Sequence, residues 1–388
     1  MNEMKVHQPQ YFKKFQCTGS ECKSNCCGHN WQIRIDKKTY DKYMQLDENQ
    51  KKKILEKTKV YTEDPFLAVM IMDSKGDCQL LNDKGLCSIQ LEYGYTYLCR
   101  TCMLHPRNIV LVDREFEIYL ELSCEEAVRV ILFEQNPMSL EEAILEPDGN
   151  GDYIPNNMLA ADKYTSAADF TKVFWKLRRA SVVIMQYRNY SVRVRMLILC
   201  MLIEQIMKLR TDGKDYDVAR SADKFLDQLY AGAYDDLVEQ MPDGIDSDFN
   251  VVLDILRDIE GKNDKRFNKY FGQALEGFGI TRTGNEFPDD FRDNYLKYYK
   301  TYFTGKEYIF ENYVVNQILS KGFPFNYRSE ASDIMKNYAD LLAKFDLVEF
   351  LLVGLCRHRM KFDKRSIIDC VAAFSRRYDH SIEGFLVM

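Results

Sequence analysis

Thiols are the side chains of this 388-residue sequence whose type and spacing could do chemistry. Twelve cysteines are present, and most of them fall in one stretch: Cys17, Cys22, Cys26, Cys27, Cys78, Cys87, Cys99, Cys102 and Cys124. Cys200, Cys356 and Cys370 stand singly over the rest of the chain. The dense group reads C-x4-C-x3-C-C, then C-x8-C, then C-x2-C, then a last cysteine opening a helix-like run. Short spacings of this kind let thiolates converge on one centre at small entropic cost, as a metal or iron–sulfur site requires. The flanking residues are Gly, Ser, Asn, Asp and Lys, which suit loops better than cores. Two blander roles compete. Disulfides need an oxidising compartment, and the first ten residues are polar, without the apolar segment of a secretory leader. Inert buried thiols are the other, since free cysteine packs well in cores.

With many thiols and few histidines, soft ligands dominate, which suits zinc or an iron–sulfur cluster. Only Cys99-x2-Cys102 has the pair form that zinc fingers repeat. Adjacent Cys26 and Cys27 point apart, so they suit a cluster or two centres better than one tetrahedral ion. Radical chemistry on S-adenosylmethionine would call for C-x3-C-x2-C; Cys22 and Cys26 supply its first half, but the next cysteine is adjacent. His29 and His105 sit beside the cysteines as ligands, proton carriers or plain loop residues, whereas His358 and His380 lie in helical context. Dinucleotide, P-loop and H-E-x-x-H motifs are missing. The glycines Gly272, Gly277, Gly279 and Gly284 read as loop and helix end.

The elements that must position these thiols are short and irregular. After the first cysteines, residues 31–36 alternate like a strand, and Asp36 is an expected N-cap for a helix over 37–43. Asn82-Asp83-Lys84-Gly85 is a turn signature that sets Cys78 and Cys87 on the two arms of a loop, thiols to one side. A short helix follows from Ser88, and Pro106 limits any helix just before it. Residues 109–122 read as two strands around Asp113 and Arg114. Ser123 is an expected N-cap for the next helix, with Cys124 near its positive end. Pro, Gly and Asn punctuate 136–165, a linker by composition. Beyond it, helices are expected over 170–186, 192–208, 218–229, 250–259, 265–277, 291–303, 308–319, 333–355 and 365–374. The fold class is thus mainly α: a small Cys-rich domain of loops and short strands holding a metal cluster (1–135), a linker (136–165) and a larger all-helical domain (166–388).

Composition sets the outer bounds. Hydrophobic residues at 46% and charged residues at 29% are ordinary for a globular protein, and a net charge of −6 speaks against a general nucleic-acid binder. The longest apolar run, residues 196–203, is far shorter than the roughly 20 residues a bilayer needs, so it reads as a buried helix. A cytoplasmic location, with reduced thiols, is the expectation.

The residues resemble the FliB family of flagellin lysine N-methylases over nearly the whole chain. The likeness runs through Phe15, Gln16 and Cys17, Cys22-x3-Cys26-Cys27, Trp31, Ile33, Asp36 and Tyr40. It continues in Asp77-Cys78, the run from Leu81 to Cys87 and Gln90, Cys102 with Pro106-Arg107, and Leu122 to Ala127 around Cys124. In the helical part it rests on Glu311 to Asn316, Phe323-Pro324-Phe325, Phe374-Ser375-Arg376 and Asp379-His380. The cysteine array is also similar to smaller YkgJ-like domains described as zinc- or iron-chelating. Gln79, His105 and Asp379 depart from the family pattern, and Cys99 is extra to it. The resemblance implies methyl transfer from S-adenosylmethionine to lysine side chains of flagellin. It also implies an iron–sulfur cluster, of the 4Fe-4S type or with zinc as the alternative, on Cys17, Cys22, Cys26, Cys27, Cys78, Cys87, Cys102 and Cys124. Asp379 and His380 form a conceivable acid–base pair or a helix-end contact. A non-enzymatic Cys-rich zinc- or iron-binding interaction module is the rival reading.

Overall fold

A computed structural model describes residues 4–22, 26–28, 32–63, 66–112, 114–145, 155, 157–159, 170–240, 249–260, 265–282, 286–326 and 334–378. The chain is mainly helical, with short strands and Cys-rich loops in its N-terminal region followed by a helical domain. Eight strands are described: β1 (Met4–Pro9), β2 (Arg34–Asp36), β3 (Thr58–Glu63), β4 (Phe66–Met70), β5 (Arg107–Val112), β6 (Glu115–Leu120), β7 (Leu140–Leu145) and β8 (Asn157–Leu159). Five form one mixed sheet in the order β7-β1-β6-β5-β8, and three form an antiparallel sheet in the order β2-β4-β3.

The expected hairpin over 109–122 is β5 and β6, paired antiparallel from Arg107↔Leu120 to Val112↔Glu115. Alternating β-branched and aromatic residues favour that pairing. β1 carries little strand signal of its own, because its sequence, MKVHQP, alternates only from Met4 to His7. It is fixed by neighbours on both sides, parallel to β6 and antiparallel to β7. The stretch 136–165 contributes β7 and β8 to the same sheet, so backbone pairing occupies part of what composition marks as a linker. β7 is mostly exposed, and its polar LEEAIL sequence hides a strand that only Leu145 anchors by deep burial.

The helices follow the apolar periodicity closely, including Phe170–Gln186, Val192–Thr211, Lys265–Phe278, Tyr308–Lys321, Ile334–Arg359 and Lys364–Tyr378. The short helix Asp235–Gln240 adds to those expected from sequence, since six residues give too little period to read. The apolar run 196–203 lies in Val192–Thr211 with Met196, Ile198, Leu199, Leu202 and Ile203 buried. Among the described residues no helix is long and apolar enough to cross a membrane. Gly272 and Gly277 belong to the helix Lys265–Phe278 rather than to a loop, and Gly279 ends it with φ 72°. Gly284 lies outside the described residues.

One large core joins the main sheet to the helices: Val110, Tyr119 and Leu120 belong to the same buried cluster as Leu199, Phe310 and Phe374. The seam runs along Tyr308–Lys321, which is buried from Ile309 to Ser320. Polar side chains on that helix tie down the N-terminal backbone. Asn312 donates to the Glu134 carbonyl at 2.6 Å, and Asn316 accepts from the Tyr11 hydroxyl at 2.7 Å. A second, smaller core of Ile33, Ile35, Tyr43, Met70, Leu80, Ile89, Leu98 and Met103 lies under the cysteine loops and includes Cys78 and Cys99.

Candidate metal centre

Local chemistry places each cysteine. Asp36 caps the helix Lys37–Met44, accepting from Thr39 N at 2.9 Å, as its position predicts. Its second oxygen accepts from Arg100 N at 2.9 Å, which brings the start of the helix Arg100–Leu104, and hence Cys99 and Cys102, beside β2. Asn82 Oδ1 accepts from Lys84 N and Leu86 N, and Gly85 takes φ 71°, so the predicted turn forms. Short bridges Met72↔Cys78 and Leu81↔Cys87 then hold Cys78 and Cys87 on its two arms. The Cys78 amide donates to the Cys27 carbonyl at 2.7 Å, which pins the first cysteine loop to this one.

The outcome is a gathering of thiols. Cys26 and Cys27 hydrogen-bond through their side chains, as do Cys99 and Cys102. Cys27 lies within the electrostatic reach of Cys78 and Cys87, Cys87 within that of Cys99 and Cys26, and Cys102 within that of Cys27 and Cys26. Cys124 feels Cys22 and Cys26. Thus Cys26 is the common neighbour, and Cys99, extra to the expected ligand set, sits inside the group. Cys17 is exposed, with no described contact to the other thiols. Cys124 itself, not Ser123, is the N-cap of the helix Glu125–Leu132. Burial pushes its thiol up to about 12, an effect the nearby Ala127 and Glu126 amides partly offset, and its side chain closes no capping hydrogen bond. His29, Trp31 and the Asp379-His380 pair lie outside the described residues.

Charge is uneven within the group. The hydrogen bond from Cys27 lowers the Cys26 thiol to about 7, helped by the Arg376 guanidinium, whereas Cys27 is raised by the same bond and by burial. Cys78 and Cys87 are raised mainly by burial. Cys26 is exposed, so in metal-free protein it becomes thiolate as pH rises through about 7 while Cys27, Cys78 and Cys87 stay protonated. Iodoacetamide at pH 7 is therefore expected to alkylate Cys26 before Cys27, Cys78 or Cys87, and Arg376→Gln to slow it. Peptide mass spectrometry over time checks this; equal rates at all four would refute the assignment.

Among the described residues no three Cys, His, Asp or Glu side chains converge closely enough to hold a single ion. Beside the thiols opens a cavity of about 300 Å³ lined by Cys26, Cys27, Cys102, Arg100, Arg107 and Glu121, with apolar walls. Arg376, from the last described helix, lies within the electrostatic reach of Cys26, and Glu125, next to Cys124, pairs with Arg266 and Arg365 of the helical domain. In the sequence Arg376 is only part of a motif, and nothing local marks it as a neighbour of Cys26.

Comparison with known proteins places these features in a family. Residues 178–385 match the model of the FliB lysine N-methylase C-terminal domain. A lysine-N-methylase of Salmonella typhimurium (strain LT2) is 28% identical over 145 residues, which is 37% of this chain and 36% of that protein. The lysine-N-methylase of Salmonella choleraesuis gives the same figures. A flagellar biosynthetic protein FliU of Salmonella muenchen is 28% identical over 145 residues, 85% of its length. The chain therefore spans little more than a third of the first two relatives it matches. No solved structure matches. The family model covers more than half of the chain, including the helix that carries Arg376 and the seam helix with Glu311, and the chain belongs to the FliB lysine N-methylase family.

Proposed function

We propose that the protein is an S-adenosylmethionine-dependent methyltransferase that N-methylates lysine side chains of flagellin, acts in the cytoplasm and holds an iron–sulfur cluster on its cysteines. The observation that carries this reading is the all-thiol gathering around Cys26 in a chain whose helical part matches the family. The names of the relatives, lysine-N-methylase and a flagellar biosynthetic protein, supply the reaction and the direction of the substrate.

The donor set suits the group. It is made of thiols alone, which iron–sulfur clusters take. The thiols are spread too widely for one ion but lie within one another's fields, as suits a polynuclear centre whose irons each take a separate ligand. Cys17, Cys22, Cys26, Cys27, Cys78, Cys87, Cys102 and Cys124, the set the family resemblance implies, would supply the ligands; a 4Fe-4S cluster takes four thiolates, so the set is enough for two such centres. When bound, the cluster supplies a covalent tie among loops that are otherwise joined by a small core. The chain's own residues do the rest. Methyl transfer needs a neutral amine, and free lysine has a pKa of roughly 10.4, so the site must desolvate the side chain or take its proton.

The test is direct. Protein prepared without oxygen is expected to be brown, to contain iron and acid-labile sulfide, and to methylate flagellin lysines with release of S-adenosylhomocysteine. Cys22→Ser and Cys87→Ser should each bleach the colour and lower the melting temperature. Colourless, zinc-loaded protein that transfers no methyl would favour the interaction-module reading instead.

A further inference from the structure

We propose that Tyr187, Tyr190 and Tyr230, with the carboxylate of Asp235, form a docking surface on the helical domain for an N-methyl-lysine side chain of the modified polypeptide. This inference rests on the methyltransferase reading and adds to it a place for the product that uses none of the cluster thiols.

Three segments bring these residues together. Tyr187 and Tyr190 follow the helix Phe170–Gln186, Tyr230 ends the helix Val218–Tyr230, and Asp235 begins Asp235–Gln240. The Tyr187 ring lies 5.3 Å from that of Tyr190 and 5.9 Å from that of Tyr230, centroid to centroid, with the planes inclined at 58° and 74°. Rings so inclined make a corner, not a stack, and a cation placed there meets more than one π face. The two inner rings are fixed by hydrogen bonds. Tyr190 is buried and donates its hydroxyl to Asp235 Oδ1 at 2.6 Å, and Asn189 Nδ2 donates to the Tyr187 hydroxyl at 3.1 Å. Tyr230 forms the outer wall and is 62% exposed, so its ring closes no core.

The charge of the surface is negative. Asp235 is exposed and forms no ion pair among the described residues. A Cβ on Gly232 would come within 2.7 Å of Asp235 Oδ2, and Gly232 takes φ 75°, so only glycine there leaves the carboxylate its room. Arg188, the cation next to Tyr187 in sequence, is committed to Glu311 and to the Gln135 carbonyl. What remains on the surface is aromatic faces beside one carboxylate, the complement of a cation with apolar substituents.

A polypeptide that undergoes lysine methylation carries two such cations, the lysine and its methylated product. The bare ammonium is compact and strongly hydrated, so it gains little on an exposed ring. A methyl group lowers the cost of dehydration and adds contact with the aromatic faces, while the remaining N–H groups can still donate to Asp235. A chain with several lysines would be held by one already methylated as the next is modified. Such tethering raises the local concentration of the remaining lysines without any new contact where the methyl is transferred.

The test uses fluorescein-labelled Gly/Ser peptides with one central N-methyl-lysine, lysine or norleucine, titrated by fluorescence anisotropy. The proteins are the full chain and its variants Tyr230→Ala and Asp235→Asn. Asparagine keeps an acceptor for Tyr190, and Tyr230 is exposed, so neither change opens the core. Wild type is expected to bind the methylated peptide at least about threefold more tightly than the lysyl one, and norleucine least. Each variant should bind the methylated peptide about threefold to tenfold more weakly. The rate of methyl transfer to a single-lysine peptide should stay the same in both. Equal affinities for the three peptides, or a preference for the methylated one that survives in both variants, would overturn the proposal. So would tighter binding of the lysyl peptide, or a lowered single-lysine rate in either variant, which would give the surface to the incoming substrate. If Tyr230→Ala does not fold, the isosteric Asp235→Asn decides alone. Wild-type protein that transfers no methyl would sink the methyltransferase reading, while peptide binding still decides the surface by itself.

Discussion

Glu311→Ala is expected to destabilise the protein by about 3–5 kcal/mol, the usual result of removing one partner of a buried ion pair. Glu311 is fully buried and receives two arginines. Arg188 grips both carboxylate oxygens, at 2.9 and 2.8 Å, and Arg195 donates to Oε2 at 2.7 Å. The two differ in what they lose. Arg188 is 39% exposed along its side chain and can turn to water, whereas Arg195 is 2% exposed and cannot. Arg195 would keep the Met185 carbonyl as acceptor, but its Nε already has no partner. The loss thus falls on Arg195. Glu311→Gln, which keeps an oxygen acceptor but no charge, should fall between wild type and alanine. The double variant Glu311→Met/Arg195→Met should recover much of the loss, because the uncompensated charge is gone. Denaturant unfolding followed by far-ultraviolet circular dichroism measures all three. A single alanine variant within about 1 kcal/mol of wild type would show that the helix ends reorganise around water and that the ion triad is dispensable.

Those contacts show where sequence reading succeeds and where it stops. Helix positions, the Asp36 cap, the Asn82–Gly85 turn and the β5–β6 hairpin are local: each depends on residues a few places apart, and periodicity or turn chemistry exposes them. β1 and β7 depend on partners more than 100 positions distant, such as Met4↔Leu145, and their own sequences carry too short an alternation to betray them. The Glu311–Asn316 motif is legible as a pattern but not as a seam. Its helix is buried on all sides, so it shows no polar face, and its polar residues serve distant groups: Arg195, the Glu134 carbonyl and Tyr11. The cysteines are legible as a group by spacing alone. Their internal order is not, since Cys99 lies among them as closely as the expected ligands, and the approach of Arg376 to Cys26 arises only when the last described helix packs back on the N-terminal region.

Two glycines of the helical domain carry the other large prediction, and their neighbour supplies its control. The helices Lys265–Phe278 and Ile334–Arg359 cross at Gly277 and Gly354. A Cβ on Gly277 would stand 2.9 Å from the Gly354 carbonyl carbon and 3.0 Å from His358 N, and nearer still to the Gly354 oxygen. A Cβ on Gly354 would meet the Ala274 oxygen at 2.5 Å and Phe278 Cε2 at 2.6 Å. Most of these are backbone atoms, so no rotamer change relieves the overlap and the helices must separate. Overpacking costs about 1–3 kcal/mol or more, and alanine regains only about 1 kcal/mol of helix propensity over glycine. A net loss of about 2 kcal/mol or more is expected for Gly277→Ala and for Gly354→Ala. Gly272, on the same helix as Gly277, faces only the Arg282 guanidinium, whose Nη1 would lie 3.7 Å from a Cβ added there. At that position alanine keeps its propensity gain, and Gly272→Ala should stabilise the chain by up to about 1 kcal/mol. The opposite signs within one helix separate close packing from propensity. If Gly277→Ala and Gly272→Ala shift the unfolding midpoint in the same direction, the helices do not meet backbone to backbone at Gly277, and the glycines there reflect propensity alone.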